Sequence, residues 1–199
     1  MLSDDSHYLN LAAIALETEA EGPGRRIALW VQGCMRRCAG CCNPDMQPLR
    51  EACMVETGDL IRMLEQARTM HEVEGVTFVG GEPLLQAEGL ADIASWAHES
   101  GLTVLVFTGF SYPDVLDEHL PGTGRLLSAT DLLVDGPFEQ EHYDVERAWI
   151  GSTNQKLHRL TDAYPDGIEY QAPRQMEVRI SARDIIVNGW PYLIQNGRA

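Results

Sequence analysis

The chain has 199 residues, enough for one domain with a sizeable core, and its 44% hydrophobic content agrees with a globular protein. Fifteen basic residues against thirty acidic ones leave a net charge of −15, which argues against a nucleic-acid partner held by phosphate contacts. No apolar run approaches the length that spans a bilayer, and Met1-Leu2-Ser3-Asp4-Asp5 lacks the basic start of a signal peptide, so the expected location is cytoplasmic.

In chain order, residues 8–18 fit an edge strand, and Gly22-Pro23-Gly24 turns the chain into a strand over 26–31. Thr57 suits the N-cap of a helix whose Leu60, Ile61, Leu64 and Ala67 recur at helical spacing. Residues 76–79 form a short buried strand, and Leu90, Ile93, Ala94 and Ala97 mark the next helix. Residues 102–107 are apolar throughout, as a parallel strand buried on both faces should be, and Leu132-Leu133-Val134 is another short strand. Strands alternating with helices predict an α/β fold with a parallel sheet covered by helices. From Thr161 the chain adds Pro- and Gly-containing turns, then Met176-Glu177-Val178-Arg179-Ile180 and Asp184-Ile185-Ile186-Val187-Asn188-Gly189-Trp190, which read as a β-hairpin. The expected division is a core over 1–160 and an extension over 161–199 packed on it, the hairpin capping the open edge of the sheet or contacting a partner.

Cys34, Cys38 and Cys41 stand as C-x3-C-x2-C just after the first of these strands. A 4Fe–4S cluster normally takes four cysteines. Three at this spacing would hold three irons and leave the fourth open to a substrate or cofactor, as catalytic metal sites do. The alternatives are a zinc site, which needs a fourth ligand that Cys42 or Cys53 supplies poorly, and a disulfide framework, which sits badly with an odd count of five cysteines. Arg36 and Arg37 flank the cysteines, where positive charge favours thiolates, although a solvated pair explains them equally.

The second feature is Gly80-Gly81-Glu82-Pro83, directly after Val76-Thr77-Phe78-Val79 and before a helix. Glycines at a strand end let backbone approach a ligand closely, and exposed carbonyls with Glu82 nearby are suitable acceptors for an ammonium group. On its own the motif is also an ordinary strand-to-helix turn with proline in the first helical turn. Its position about forty residues after the cysteines, at the end of the next strand, makes the pair specific.

Together these motifs resemble the radical S-adenosylmethionine (SAM) superfamily, and four further stretches sharpen the resemblance. They are Gly22-Pro23-Gly24-Arg25; 32–44 with Asn43-Pro44; Val106-Phe107-Thr108-Gly109-Phe110; and Leu133-Val134-Asp135-Gly136-Pro137-Phe138 followed by Trp149-Ile150-Gly151-Ser152-Thr153-Asn154-Gln155. Over about 22–160 the chain is similar to the activating enzymes of glycyl radical enzymes, most of all those of anaerobic ribonucleotide reductase.

The resemblance implies a partial (β/α) barrel of the radical SAM type, open on one side, with the C-terminal β-hairpin as an addition. It implies a 4Fe–4S cluster on Cys34, Cys38 and Cys41 and SAM as cofactor, with Gly80, Gly81 and Glu82 at the methionine group. Gly40 and Cys42 would lie near the adenine, and Thr108 and Gly109 would line the site from the following strand. Reductive cleavage of SAM would give a 5′-deoxyadenosyl radical that takes hydrogen from a glycine of the partner reductase, with a low-potential donor such as flavodoxin or ferredoxin. Activation needs no acid or base from the protein, and no His or carboxylate pair is marked for one, with His142 and His158 kept as candidates.

The chain departs from the family pattern in three places. Gly40, shared with these activators, precedes the third cysteine where many radical SAM enzymes carry an aromatic, Cys42 stands where these activators often have Tyr or His, and Ile150 replaces an Arg. A different reading is a radical SAM enzyme modifying a small molecule or a ribosomal peptide. A non-catalytic electron carrier is a third, opposed by Gly80-Gly81-Glu82.

Overall fold

The computed structural model describes residues 7–117, 120–171, 173–180 and 185–189. Met1 to Asp5, and Asp184 and Trp190 of the expected hairpin, lie outside the described residues.

Nine strands and five α-helices are described: β1 Tyr8–Thr18, β2 Arg26–Val31, β3 Cys53–Glu56, α1 Thr57–His71, β4 Gly75–Gly80, α2 Ala87–Glu99, β5 Thr103–Phe107, α3 Tyr112–Leu116, α4 Thr123–Ser128, β6 Leu132–Asp135, β7 Lys156–Arg159, α5 Ile168–Gln171, β8 Met176–Ile180 and β9 Ile185–Gly189. Seven strands form one sheet in the order β3-β1-β2-β4-β5-β6-β7. Its centre, β2-β4-β5-β6, is parallel, and β1, β3 and β7 flank it antiparallel. The fold is therefore mixed α/β, with β8 and β9 as a separate antiparallel pair.

Period-two alternation sorts each central strand between two faces. Ile27, Leu29 and Val31 of β2, Val76 and Phe78 of β4, and Val104 and Val106 of β5 face the main core with Leu60 and Leu64 of α1 and Leu90 and Ile93 of α2. Each such side chain contributes about 1.5–3 kcal/mol by leaving water. Ala28 and Trp30 point the other way, toward Ala15 and Met46, and Leu105, Leu132 and Val134 form a third cluster on that face. Burial on both faces explains why β2 and β5 read as unbroken apolar runs.

Two local expectations change, and two strands were not expected. The segment at 8–18 is a strand but not an edge one, because β3 pairs outside it. Four residues are too few to show a period, so β3 and β7 gave no sequence signal. Thr57 is the first helical residue rather than the cap; its hydroxyl donates to Asp92 Oδ2 at 3.1 Å, and Glu56 occupies the cap position. Among the described residues no helix is long and apolar enough to cross a membrane.

Beyond residue 160 the chain stays attached to the core. Arg26, fully buried at the start of β2, donates to Thr77 Oγ1 at 2.8 Å and to the Tyr164 hydroxyl at 2.9 Å. Burial lowers the pKa of this guanidinium, and the ring of oxygen acceptors compensates its charge.

Candidate functional site

The parallel strands β2, β4 and β5 all end at one edge of the sheet, where α/β folds place their ligands. The cysteine loop leaves β2 there and returns on itself: Gly33 N donates to Met46 O at 2.8 Å and Cys34 N to Gln47 O at 2.9 Å. Two glutamines brace its ends. Gln32 Nε2 donates to Pro48 O at 2.7 Å, while Gln86 Nε2 donates to Gln32 O at 3.0 Å and to Asn10 O at 3.1 Å. Sequence reasoning missed both glutamines in this role, because only the burial of Gln32 and the spatial approach of Gln86 reveal it.

Gly80 and Gly81 lie directly beneath this loop. Gly80 has φ +109°, and a Cβ there would sit 2.5 Å from Val31 N. A Cβ on Gly81 would lie 2.3 Å from Gly33 O and 2.8 Å from Met46 O. Gly81 N donates to Val31 O and Glu82 N to Gly33 O, each at 2.8 Å, so these two amides hold the cysteine loop. Only side-chain-free residues allow that closeness.

Glu82 is 1% exposed and ties the two strand ends together. Its Oε1 accepts from Thr108 Oγ1 at 2.8 Å and from Leu84 N at 3.1 Å, and its Oε2 accepts from Gly109 N at 2.8 Å. Burial raises its pKa, and these donors oppose the shift. Beside Gly109, the Arg36 guanidinium lies 4.3 Å from the centre of the Phe110 ring and 4.0 Å from Asp114.

All five cysteines are free thiols. Cys34, Cys38, Cys41 and Cys42 line one cavity of about 280 Å³, together with Gly80, Gly81, Glu82, Thr108 and Gly109. Among the expected site residues only Gly40 is not on its wall; φ there is +69°, and a Cβ would fall 2.2 Å from Gln140 Oε1. That conformation accounts for glycine rather than an aromatic before Cys41. Cys53 lies elsewhere, exposed on β3 opposite Leu11. His142 and His158 pair with Glu139 at 2.5 Å and Asp135 at 3.1 Å, and neither is among the cavity's lining residues.

The donor set fits an iron–sulfur cubane. Backbone amides already point at sulfur, with Arg36 N 3.4 Å from Cys34 Sγ and Asn43 N 3.4 Å from Cys41 Sγ. A hydrogen bond with Cys42 lowers the pKa of the Cys41 thiol, whereas burial pushes that of Cys34 up. Among the described residues no three His, Cys, Asp or Glu side chains converge on a point where a single metal ion would be held. A cubane binds each thiolate to a different iron and does not ask for that convergence.

Two further residues on the cavity wall, Glu21 and Trp149, are not among the expected site residues. Glu21 is a half-buried residue whose carboxyl pKa desolvation raises to about 7, with Gly189 N donating to its Oε1 at 2.8 Å. Trp149 has φ +59°, a strained conformation for so large a side chain, and it faces the cavity from the loop before β7.

A family model described as "4Fe-4S single cluster domain" matches residues 20–158. Among curated proteins, the anaerobic ribonucleoside-triphosphate reductase-activating protein of Escherichia coli K12 is 31% identical over 150 residues, covering 70% of this chain and 91% of its own. Its Salmonella typhi counterpart is 32% identical over 147 residues, with 70% and 91% covered, and that of enterobacteria phage T4 is 28% identical over 145 residues, with 71% and 88% covered. The crystal structure of QueE from Escherichia coli superposes over 54% of each chain at 19% identity and a TM-score of 0.39, a partial likeness only. With the domain match spanning more than half of its length and the cysteine loop inside that match, the chain belongs to the 4Fe-4S single cluster domain family and, within it, to the anaerobic ribonucleoside-triphosphate reductase-activating proteins.

Proposed function

We propose that this protein is a radical SAM activase that generates a glycyl radical on an anaerobic ribonucleotide reductase. The observation that carries the reading is the contact of Gly81 with the Gly33 and Met46 carbonyls, which sets the glycine loop and the cysteine loop side by side on one cavity. Cys34, Cys38 and Cys41 would hold a 4Fe–4S cluster, and Gly80, Gly81 and Glu82 would receive the methionine group of SAM. Reductive cleavage of SAM at such a cluster supplies methionine and a 5′-deoxyadenosyl radical, which takes a hydrogen atom from a glycine Cα.

This chain's own part is positioning. The Gly81 and Glu82 amides fix the cysteine loop, and the Glu82 carboxylate fixes Thr108 and Gly109 across from it. Gly40 and Cys42 belong to the adenine side in this reading. The sheet is the wall of a partial (β/α) barrel open laterally, with 1–160 as the core and 161–199 as the extension packed on it. The electron comes from a low-potential donor such as flavodoxin or ferredoxin, in the cytoplasm.

Mixing the reconstituted, reduced protein with SAM and the cognate reductase tests the reading. The expected result is a glycine-centred doublet in electron paramagnetic resonance, with one 5′-deoxyadenosine formed per radical. SAM cleavage that leaves the reductase radical-free but consumes a small molecule or peptide would overturn the activase role.

A further inference from the structure

The family match ends at residue 158, so the β8–β9 hairpin lies outside it. Its amphipathic pattern is inverted. A hairpin on a protein surface normally turns its apolar side inward, but Met176, Val178 and Ile180 of β8 are 41%, 49% and 77% exposed.

The polar side faces the body instead. Glu177 Oε1 accepts from Glu19 N at 2.7 Å, Arg179 donates to the Glu17 carbonyl, Asn188 Nδ2 donates to Thr18 Oγ1 at 2.9 Å, and Gly189 N donates to Glu21 Oε1 at 2.8 Å. Opposed residues of an antiparallel pair share a face. Glu177 opposes Asn188 on the inner face and Val178 opposes Val187 on the outer one. A slip of one residue would bury the apolar set but break these polar contacts, so the seat on 17–21 holds the apolar face outward.

Residues of both faces reach the cavity: Arg179 and Asn188 from the inner one and Val187 from the outer one line it together with Cys34 and Cys41. The exposed apolar face is therefore a ledge that runs through the Val178–Val187 pair to the cavity wall. Resting on the activase reading, we infer that this ledge is the docking surface for the glycine-bearing reductase: a polypeptide that brings its glycine into the cavity crosses the hairpin, and the exposed methionine, valine and isoleucine bury against it. Continuity of ledge and cavity through the Val178–Val187 pair selects this occupant over one seated elsewhere on the protein. Exposed apolar groups in one contiguous patch are what such a contact uses.

The test is the double variant Val178→Asp, Ile180→Lys, with Gly189→Val as a second variant that unseats the hairpin, since a Cβ there would meet Gln175 O at 2.4 Å and Ala20 Cβ at 2.7 Å. Glycyl radical formation is titrated with reductase, alongside SAM cleavage without reductase and sedimentation velocity of the protein alone. The expected result is an increase of at least about tenfold in the reductase concentration giving half-maximal radical, with reductase-free SAM cleavage within about twofold of wild type for the double variant. An unchanged titration overturns the inference. So does a loss of reductase-free SAM cleavage in the double variant, which would put the face in the cofactor site. Conversion of a wild-type dimer to monomer with an unchanged titration assigns the ledge to a second copy and also overturns it. If the wild-type protein forms no radical on the reductase, the activase reading itself fails, and the inference with it.

Discussion

Glu82 Oε1 and Thr108 Oγ1 lie 2.8 Å apart, joining the loop after β4 to the end of β5 beneath the cavity. The same hydroxyl accepts from Phe110 N at 3.1 Å, so one threonine relays order from the buried carboxylate into the next loop. Thr108→Val keeps the shape and removes the donor. A hydrogen bond to a charged group is worth about 1.5–3 kcal/mol, and chemical denaturation should show a loss of that order, with SAM affinity lowered roughly tenfold. Equal stability of Thr108→Val and wild type would show the bond to be unimportant.

The three cysteines of the motif should be separable from the other two. Cys34→Ala, Cys38→Ala and Cys41→Ala should each lose the reconstituted cluster, while Cys42→Ala and Cys53→Ala should keep it, by iron and sulfide analysis with the visible absorption spectrum. Cys53, on β3 and outside the cavity lining, is the stringent control. Wild-type iron in Cys38→Ala contradicts the ligand assignment.

Gly81 tests the contact that unites the two loops. Even alanine would place a methyl group 2.3 Å from the Gly33 carbonyl oxygen, and backbone on both sides leaves little room to give. Gly81→Ala should weaken SAM binding by at least about tenfold and lower cluster retention, whereas Gly58→Ala, in α1 with its nearest neighbour at 3.5 Å, should leave both intact. Unchanged SAM titration in Gly81→Ala removes this loop from the site.

Glu21 makes stability depend on pH in a defined direction. Its pKa is raised to about 7 in the folded protein against an ordinary 4.5, chiefly by desolvation of the carboxyl. The folded state thus holds a proton that the unfolded state releases, and stability falls as pH rises through the window from 4.5 to about 7. Glu177 adds to the upward shift and Arg179 opposes it. Glu21→Gln keeps the acceptor for Gly189 N but has no proton to lose, so its melting curve should match wild type at pH 5 and lie a few degrees higher at pH 8. Parallel melting temperatures for the two proteins across that range would mean that Glu21 does not titrate there.

The sequence by itself determined the parts of this protein that depend on local pattern. The apolar run at 27–31 marked a strand, and the one at 102–107 a parallel strand buried on both faces. The cysteine spacing and the glycines after β4 pointed to iron ligation and to close backbone approach, because each demands particular residue types. The tertiary structure decided what depends on residues distant in sequence. Glu82, offered by the sequence as an acceptor for a ligand ammonium, is bonded to Thr108 and Gly109, partners 26 and 27 residues away. Gln86 braces the cysteine loop across 54 residues, and Glu21 meets Gly189 across 168. No local period encodes such pairs. Nor does the alternation of β8 say which of its faces turns inward: Met176, Val178 and Ile180 would be assigned to the core by hydrophobicity alone, and hydrogen bonds to residues 17–21 turn them to solvent.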